Sequence, residues 1–212
     1  MATQPATSAA QSQDGRAAGQ PGEPPTQDPR DSQPAFLEAV IADARIAAAY
    51  RGERHKFTSR IDGLIQALRL ALVTDAFLGQ CAYRAKARLQ ALRIPLLPGL
   101  AHRVAMMTAQ IAISDAAVLK PGVFIPHGQV VIQGMTRVNS GAVLYPWITI
   151  GLIGTSVVGP TIGPRASIGT GAKVLGPIQV GRDARVGPNS VVLNDVPPTT
   201  TVVGAPAKAI TE

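Results

Sequence analysis

The C-terminal half of the chain carries an apolar repeat with a period of six residues. A branched aliphatic residue recurs at nearly every sixth position, and one extra residue separates the third and fourth members. The members are Ile113, Leu119, Ile125, Ile132, Val138, Leu144, Ile150, Ile162, Ile168, Val174, Val180, Val186 and Val192. This period fits neither an α-helix nor the alternation of a simple strand, and it is typical of hexapeptide β-helices. The repeat therefore predicts a parallel β-helix in which each hexad supplies one short strand and one turn.

The positions between the apolar residues fit the turns of such a coil. Glycine follows several members directly, as a turn with permissive backbone angles requires; these are Gly163, Gly169, Gly181 and Gly187. Four positions after a member stands a small or branched residue: Ala166, Ala172, Ile178, Ala184 or Ser190. A narrow prism has room for Ile, Val and Ala but not for large rings, and only 4% of the 212 residues are aromatic. The composition therefore indicates a regular core of small aliphatic side chains.

Two segments of different composition precede the repeat. Residues 1–34 are rich in Pro, Gln, Ala and Ser and lack aromatic residues, so we expect a disordered tail. Residues 35–110 are rich in Ala, Leu and Arg and predict helices, with one beginning at Phe36, a long one over 60–92 ended by Pro95 and Pro98, and a short one over 102–110. The predicted fold class is α+β: a tail over 1–34, an α-helical region over 35–110 and a β-helix over 111–212.

Several classes of protein are excluded by composition. The single cysteine, Cys81, excludes an internal disulfide, and no metal-ligand spacing and no nucleic-acid-binding pattern appear. We expect no cleavable secretory signal, because residues 1–34 contain no basic n-region and no apolar h-region. We also expect no transmembrane span, because Arg69 and Asp75 interrupt the longest apolar stretch. The net charge of +7 resides mainly in the helical region. Such apolar helices with basic flanks are compatible with peripheral contact at a membrane surface, but packing on a partner subunit is the favoured interpretation.

Two C-terminal segments carry a resemblance to a known family. Residues 168–176 and 196–208 resemble the closing coils of serine O-acetyltransferases, and they also look like related acetyltransferases of surface-polysaccharide pathways. The resemblance covers about residues 60–210. It implies a left-handed β-helix, acetyl-CoA as the acetyl donor, and a cytoplasmic homotrimer with active sites between neighbouring prisms. It also implies an L-serine acceptor and a place in cysteine biosynthesis.

His127 is the predicted catalytic base. Attack of a hydroxyl on a thioester needs a positioned base, and His127 is the one histidine of the predicted β-helix, beside the one-residue insertion. The resemblance aligns His127 with the histidine of the family's Asp-His-x-x-Gly motif, but Pro126 stands where the family has Asp. The family's orienting Asp corresponds to Ala112, so Asp115 or a backbone carbonyl would have to substitute for it. His55 and His102 are interpreted as solvated or capping residues.

The donor site is predicted on the turn that the family uses for the pantetheine arm. The resemblance assigns it to Gly169, Thr170, Gly171, Ala172 and Lys173, with Gly151 as a weaker candidate. Lys173 and Lys208 are candidates for contact with phosphates as point charges.

The predicted function is acetyl-CoA-dependent O-acetylation of L-serine. The family's long glycine-rich loop with its Arg-His pair is reduced here to 151–161, which contains neither residue. The alternative acceptor is therefore a sugar hydroxyl of a polysaccharide or glycolipid precursor, and a catalytically silent trimeric scaffold is a third interpretation. Because the chain stops soon after the last coil, we expect no complex with the next enzyme of cysteine synthesis.

Overall fold

The computed structural model describes residues 32–53 and 57–210. The predicted disordered tail, except for its last three residues, and His55 lie outside the described residues. Four helices come first in the described chain: α1 Phe36–Tyr50, α2 Arg60–Val73, α3 Phe77–Ala91 and α4 Leu97–Ala109. Of the residues assigned to the tail, Gln33 donates a hydrogen bond of 2.9 Å to the carbonyl of Ala117.

The long helix predicted over 60–92 is in fact two helices. α2 begins in a capping box, because the side chain of Ser59 accepts from the backbone of Asp62 and the Asp62 carboxylate accepts from the backbone of Ser59. It ends at Thr74, where the backbone turns extended and the Thr74 hydroxyl donates to the carbonyl of Leu70 at 2.7 Å. The prediction was wrong about this break, which leaves Asp75 outside both helices.

The next helix begins earlier than the sequence predicted. α4 starts at Leu97 rather than near His102, and Pro98 lies in its first turn. Proline is tolerated there because the backbone N–H groups of a first helical turn have no partner within the helix. Pro98 therefore opens this helix instead of ending the one before it, while Pro95 lies in the connecting turn.

Fourteen short strands follow in the described chain. They are β1 Ile111–Ile113, β2 Val118–Leu119, β3 Val130–Ile132, β4 Arg137–Val138, β5 Val143–Leu144, β6 Thr149–Gly151, β7 Thr161–Ile162, β8 Ser167–Ile168, β9 Lys173–Leu175, β10 Gln179–Val180, β11 Arg185–Val186, β12 Val191–Val192, β13 Thr201–Gly204 and β14 Ala207–Ile210. They form three sheets with the orders β1-β3-β6-β9-β12, β10-β7-β4-β2 and β14-β13-β11-β8-β5. All pairs are parallel except β13 with β14.

The predicted apolar repeat forms the core of this parallel β-helix. In the first sheet Ile132 pairs with Ile113 on one side and with Ile150 on the other, so equivalent hexad positions stack directly. Every member of the repeat is buried, as are the small residues four positions further on. Each coil therefore closes on the one below through apolar ladders, as the six-residue period predicts.

A buried polar network fixes the helices on the first coil. Asp43 of α1 and Arg84 of α3 form an ion pair with an Nε–Oδ2 distance of 2.8 Å, and both side chains are at most 2% exposed. Asp43 also accepts from the backbone N–H of Gly122 and Val123, and Gln80 donates to the carbonyl of Val123 at 2.8 Å. Because buried polar groups need these partners, the network holds α1 and α3 against segment 119–123, just before His127.

Candidate active site

His127 lies in the loop that contains the one-residue insertion. Ile125 is buried, Pro126 follows it, and the His127 side chain is 63% exposed. The next residue, Gly128, has φ of +78°, and a Cβ built there would lie 2.0 Å from the carbonyl oxygen of Ala109. Only glycine fits that approach, and Gln129 then donates from its backbone N–H to the same carbonyl at 2.8 Å. The insertion thus lets the chain pass the end of α4 while His127 points outward.

An acidic partner for His127 comes from the helical region. Nδ1 of His127 lies 3.2 Å from Oδ2 of Asp75, which is held in the break between α2 and α3. A carboxylate at this distance favours the tautomer with its proton on Nδ1, and that tautomer leaves Nε2 free to accept a proton. The arrangement can therefore deprotonate a hydroxyl placed beside Nε2.

A pocket of about 330 Å³ adjoins this pair. Its walls are formed by the end of α1, the break before α3 and the segment leading to His127. Tyr145, directly after β5, completes the lining. The rings of Tyr50 and Phe124 stack along it with centroids 4.9 Å apart. Its lining is Ala47, Tyr50, Arg51, Val73, Thr74, Asp75, Phe77, Phe124, Ile125, Pro126, His127 and Tyr145. A small polar molecule would meet charged groups here against a largely apolar floor.

Asp115, considered above as the orienting acid, is engaged elsewhere. Its carboxylate pairs with Lys86 at 2.6 Å, and Lys86 also donates to the carbonyl of Ile113. Ala112 and Asp115 line a different, more open depression together with His102. His102 lies inside α4 and is half-buried, so it caps no helix. The acid that accompanies His127 is Asp75, and sequence reasoning missed it.

The predicted donor residues occupy a turn on the outside of the β-helix. Gly169 packs closely on the coil above, since a Cβ there would lie 2.7 Å from the carbonyl of Val186. Gly171 has φ of +75°, and the Ala172 side chain is fully buried, so only its backbone is available to a ligand. Nζ of Lys173 donates to the carbonyl of Trp147 at 2.8 Å. Thr170 lies between the two glycines and is exposed.

The other two predicted donor residues lie apart from that turn. Gly151 ends β6 and pairs with Leu175 of β9 in the first sheet. Lys208 is exposed on β14, where it pairs with Val203 in the C-terminal hairpin. Of all the residues that the sequence nominated, His127 alone lines the pocket beside Asp75.

Two further observations concern the requirements of membrane-spanning helices and of metal sites in the described residues. No helix within 32–53 and 57–210 is long and apolar enough to cross a membrane. The same part of the chain contains no group of three or more His, Cys, Asp or Glu residues placed to hold a metal ion.

The chain is similar to known transferases in sequence and structure. Residues 159–194 match the family described as bacterial transferase hexapeptide (six repeats). A serine acetyltransferase of Mycobacterium tuberculosis is 45% identical over 103 residues, which cover 46% of this chain and 44% of the relative. Soybean serine acetyltransferase complexed with serine is 30% identical with a TM-score of 0.69, covering 85% of this chain and 71% of the soybean chain. A serine acetyltransferase in complex with CoA is 25% identical with a TM-score of 0.70, covering 86% and 72%.

The repeat, the stacked parallel sheets and these matches define the class. The chain is a hexapeptide-repeat protein built on a left-handed parallel β-helix, as the sequence predicted. Within that class it belongs to the serine acetyltransferase family. The chain spans about half the length of the curated relatives that it matches.

Proposed function

We propose that this protein transfers the acetyl group of acetyl-CoA to the hydroxyl of L-serine, with His127 as the general base. The observation that carries the proposal is the contact between His127 and Asp75 at the mouth of a pocket. Membership of the serine acetyltransferase family supports the reaction, and the relatives solved with serine and with CoA support the two substrates.

The reaction proceeds by direct attack in this proposal. Nε2 of His127 takes the serine hydroxyl proton as the oxygen attacks the thioester carbonyl carbon, because a free hydroxyl is hardly ionised at neutral pH. The new C–O bond forms and the C–S bond breaks. The imidazolium then gives the serine proton to the departing CoA sulfur. Asp75 stabilises the imidazolium that exists between these steps. O-acetylserine and CoA are the products, which places the enzyme at the entrance to cysteine biosynthesis.

We propose further that the active enzyme is a homotrimer in which the donor binds between two prisms. Gly169, Thr170, Gly171, Ala172 and Lys173 would contact the pantetheine arm, with Gly151 beside them and Lys208 near the phosphates. None of these residues lines the pocket of His127 in the described part of one chain. A neighbouring copy is therefore the natural source of the donor surface, and symmetric association is common for solenoids with flat outer faces. Acetyl-CoA as donor implies a cytoplasmic enzyme.

A sugar hydroxyl is the alternative acceptor. The stacked Tyr50 and Phe124 and the nearby Tyr145 give the pocket an aromatic surface on which a sugar ring could pack. The short 151–161 segment also lacks the basic pair that the family associates with serine. A silent scaffold would leave the pairing of His127 with Asp75 without a role.

The experiment is an acceptor screen with a matched histidine control. CoA release from acetyl-CoA is measured with L-serine and with sugar acceptors for the wild type, His127→Ala and His102→Ala. We expect turnover with serine that falls by about 100-fold or more in His127→Ala, the usual contribution of a general base, and remains near wild type in His102→Ala. Turnover with sugars alone would establish the alternative. Equal activity of His127→Ala and the wild type would overturn the assignment of the base.

A further inference from the structure

We infer that Arg51 binds the carboxylate of the acceptor and so selects an amino acid over other hydroxyl compounds. The inference rests on the proposed function, since it concerns the acceptor side of the same pocket. Arg51 follows the last residue of α1 and lines the pocket together with Asp75 and His127. Neither the repeat nor the family motifs point to this residue.

Arg51 is positioned and still available for a ligand. Its Nε donates to Oε1 of Glu53 at 2.9 Å, and its side chain is 40% exposed. Within 32–53 and 57–210, no protein hydrogen bond occupies the two Nη groups. Because only Nε is engaged, the two Nη groups remain free to donate. The planar guanidinium can then form two parallel hydrogen bonds with one carboxylate.

Glu53 links this arginine to a second helix. Nη1 of Arg69 in α2 donates to Oε2 of Glu53 at 2.7 Å. The hydrogen bonds from Arg69 and Arg51 lower the pKa of Glu53 to about 2, so the carboxylate is ionised at neutral pH. The two helices thereby restrict the orientation of the Arg51 side chain before any ligand arrives. Such preorganisation reduces the entropy lost on binding.

The charges of the pocket match those of a zwitterion. Arg51 is the only lysine or arginine among the described lining residues, and Asp75 is the only carboxylate. An amino acid brings one carboxylate and one ammonium group, and serine adds the hydroxyl that His127 would deprotonate. A neutral sugar would use neither charge. Because 151–161 contains no basic residue, the described pocket offers no other fixed positive charge for an acceptor carboxylate.

The test compares acceptors with and without a carboxylate. Steady-state kinetics are measured for wild type, Arg51→Gln, Arg51→Lys and Arg88→Gln, with L-serine and with ethanolamine, which keeps the hydroxyl and the ammonium group. Arg88 is an exposed arginine of α3 outside the pocket and serves as the matched control. Thermal unfolding of each variant verifies that the fold is retained.

We expect Arg51→Gln to raise the KM for serine by about 10- to 100-fold, the usual value of a charged hydrogen-bonded contact. The kcat and the KM for acetyl-CoA should stay near wild type, and Arg51→Lys should restore part of the affinity. The kcat/KM for ethanolamine should be the same in all four proteins, because ethanolamine has no carboxylate for Arg51 to bind.

The outcomes separate the inference from the function on which it rests. If the wild type acetylates serine and Arg51→Gln has an unchanged serine KM, Arg51 is not the carboxylate site while the proposed function stands. An equal loss with serine and ethanolamine would mean a structural role and would also overturn the inference. If the wild type acetylates only sugars, both proposals fail together.

Discussion

The contact between His127 and Asp75 joins two side chains that are 52 residues apart in the chain. Both side chains are largely exposed, at 63% for His127 and 79% for Asp75, so water competes for each of them. An exposed pair of this kind contributes little to stability. Its effect is on the histidine tautomer. The carboxylate favours the tautomer in which Nδ1, the nitrogen that faces Asp75, carries the proton.

Replacing Asp75 tests that role directly. Asp75→Asn keeps the size of the side chain but removes the charge and permits the wrong histidine tautomer. We expect kcat for the proposed acetyl transfer to fall by about 10- to 100-fold, as for other residues that orient a functional histidine. The KM for acetyl-CoA should be unchanged, and both constants come from initial rates of CoA release.

Asp115→Asn is the matched control for this prediction. Asp115 is the acid that the sequence offered as an orienting group, and it pairs with Lys86 instead of His127. We expect its kcat to stay within about twofold of wild type, because the substitution removes an exposed charge away from the pocket. The reverse order of effects, with Asp115→Asn slower than Asp75→Asn, would refute the assignment of Asp75.

Asp75 shows why one half of the candidate site was predictable and the other half was not. The sequence nominates His127 because a break in a regular repeat and the histidine of a family motif coincide at one position. Asp75 belongs to no repeat, and the pattern of its surroundings predicted a continuous helix. Its exposure depends on a helix end at Thr74 and on how α3 packs against the first coil. Such tertiary contacts override local helix propensity.

The elements of the fold differ in the same way. The β-helix was predictable because each hexad forms a strand and a turn from local sequence and meets an equivalent hexad one coil away. The helical region lacks such internal repetition. Its placement depends on single buried contacts such as the pair of Asp43 with Arg84, and no local pattern reveals which charged residues will meet.

The loop that carries His127 depends on its approach to the end of α4. Gly128→Ala would place a methyl group against the carbonyl of Ala109 and would force alanine into φ of +78°. We expect a loss of about 2 to 4 kcal/mol in the free energy of unfolding, from left-handed backbone and overpacking together. The midpoint of thermal unfolding should fall by roughly 5 to 15 °C. Activity should fall further than stability alone requires, because the displaced loop carries His127 away from Asp75.

Gly99→Ala is the control for that substitution. Gly99 lies in the first turn of α4, and nothing lies within 4 Å of a Cβ built there. Alanine is a better helix former than glycine, so the variant should be as stable as the wild type or slightly more stable. Equal melting temperatures for Gly128→Ala and Gly99→Ala would show that the loop does not need the close approach to Ala109.

In the molecule as a whole, the proposed base and the predicted donor turn lie on two separate surfaces of one chain. The pocket of His127 lies where the helices meet the first coils, while the predicted donor turn over 169–173 lies further along the prism. In a cyclic trimer each site would combine the histidine of one copy with the donor turn of the next. A chain with a substituted histidine could then still supply its donor turn to a neighbouring copy, and a chain with a substituted donor turn could still supply its histidine.

Mixed trimers test this division of the site. His127→Ala and Lys173→Glu should each be nearly inactive alone, the first through loss of the base and the second through a raised KM for acetyl-CoA. When the two are unfolded together and refolded, every trimer that contains both chains has one interface where an intact His127 faces an intact Lys173. We expect activity to return to a fraction of wild type, while sedimentation shows a mass about three times 22.0 kDa. Mixed trimers without restored activity would place both halves of the site within one chain.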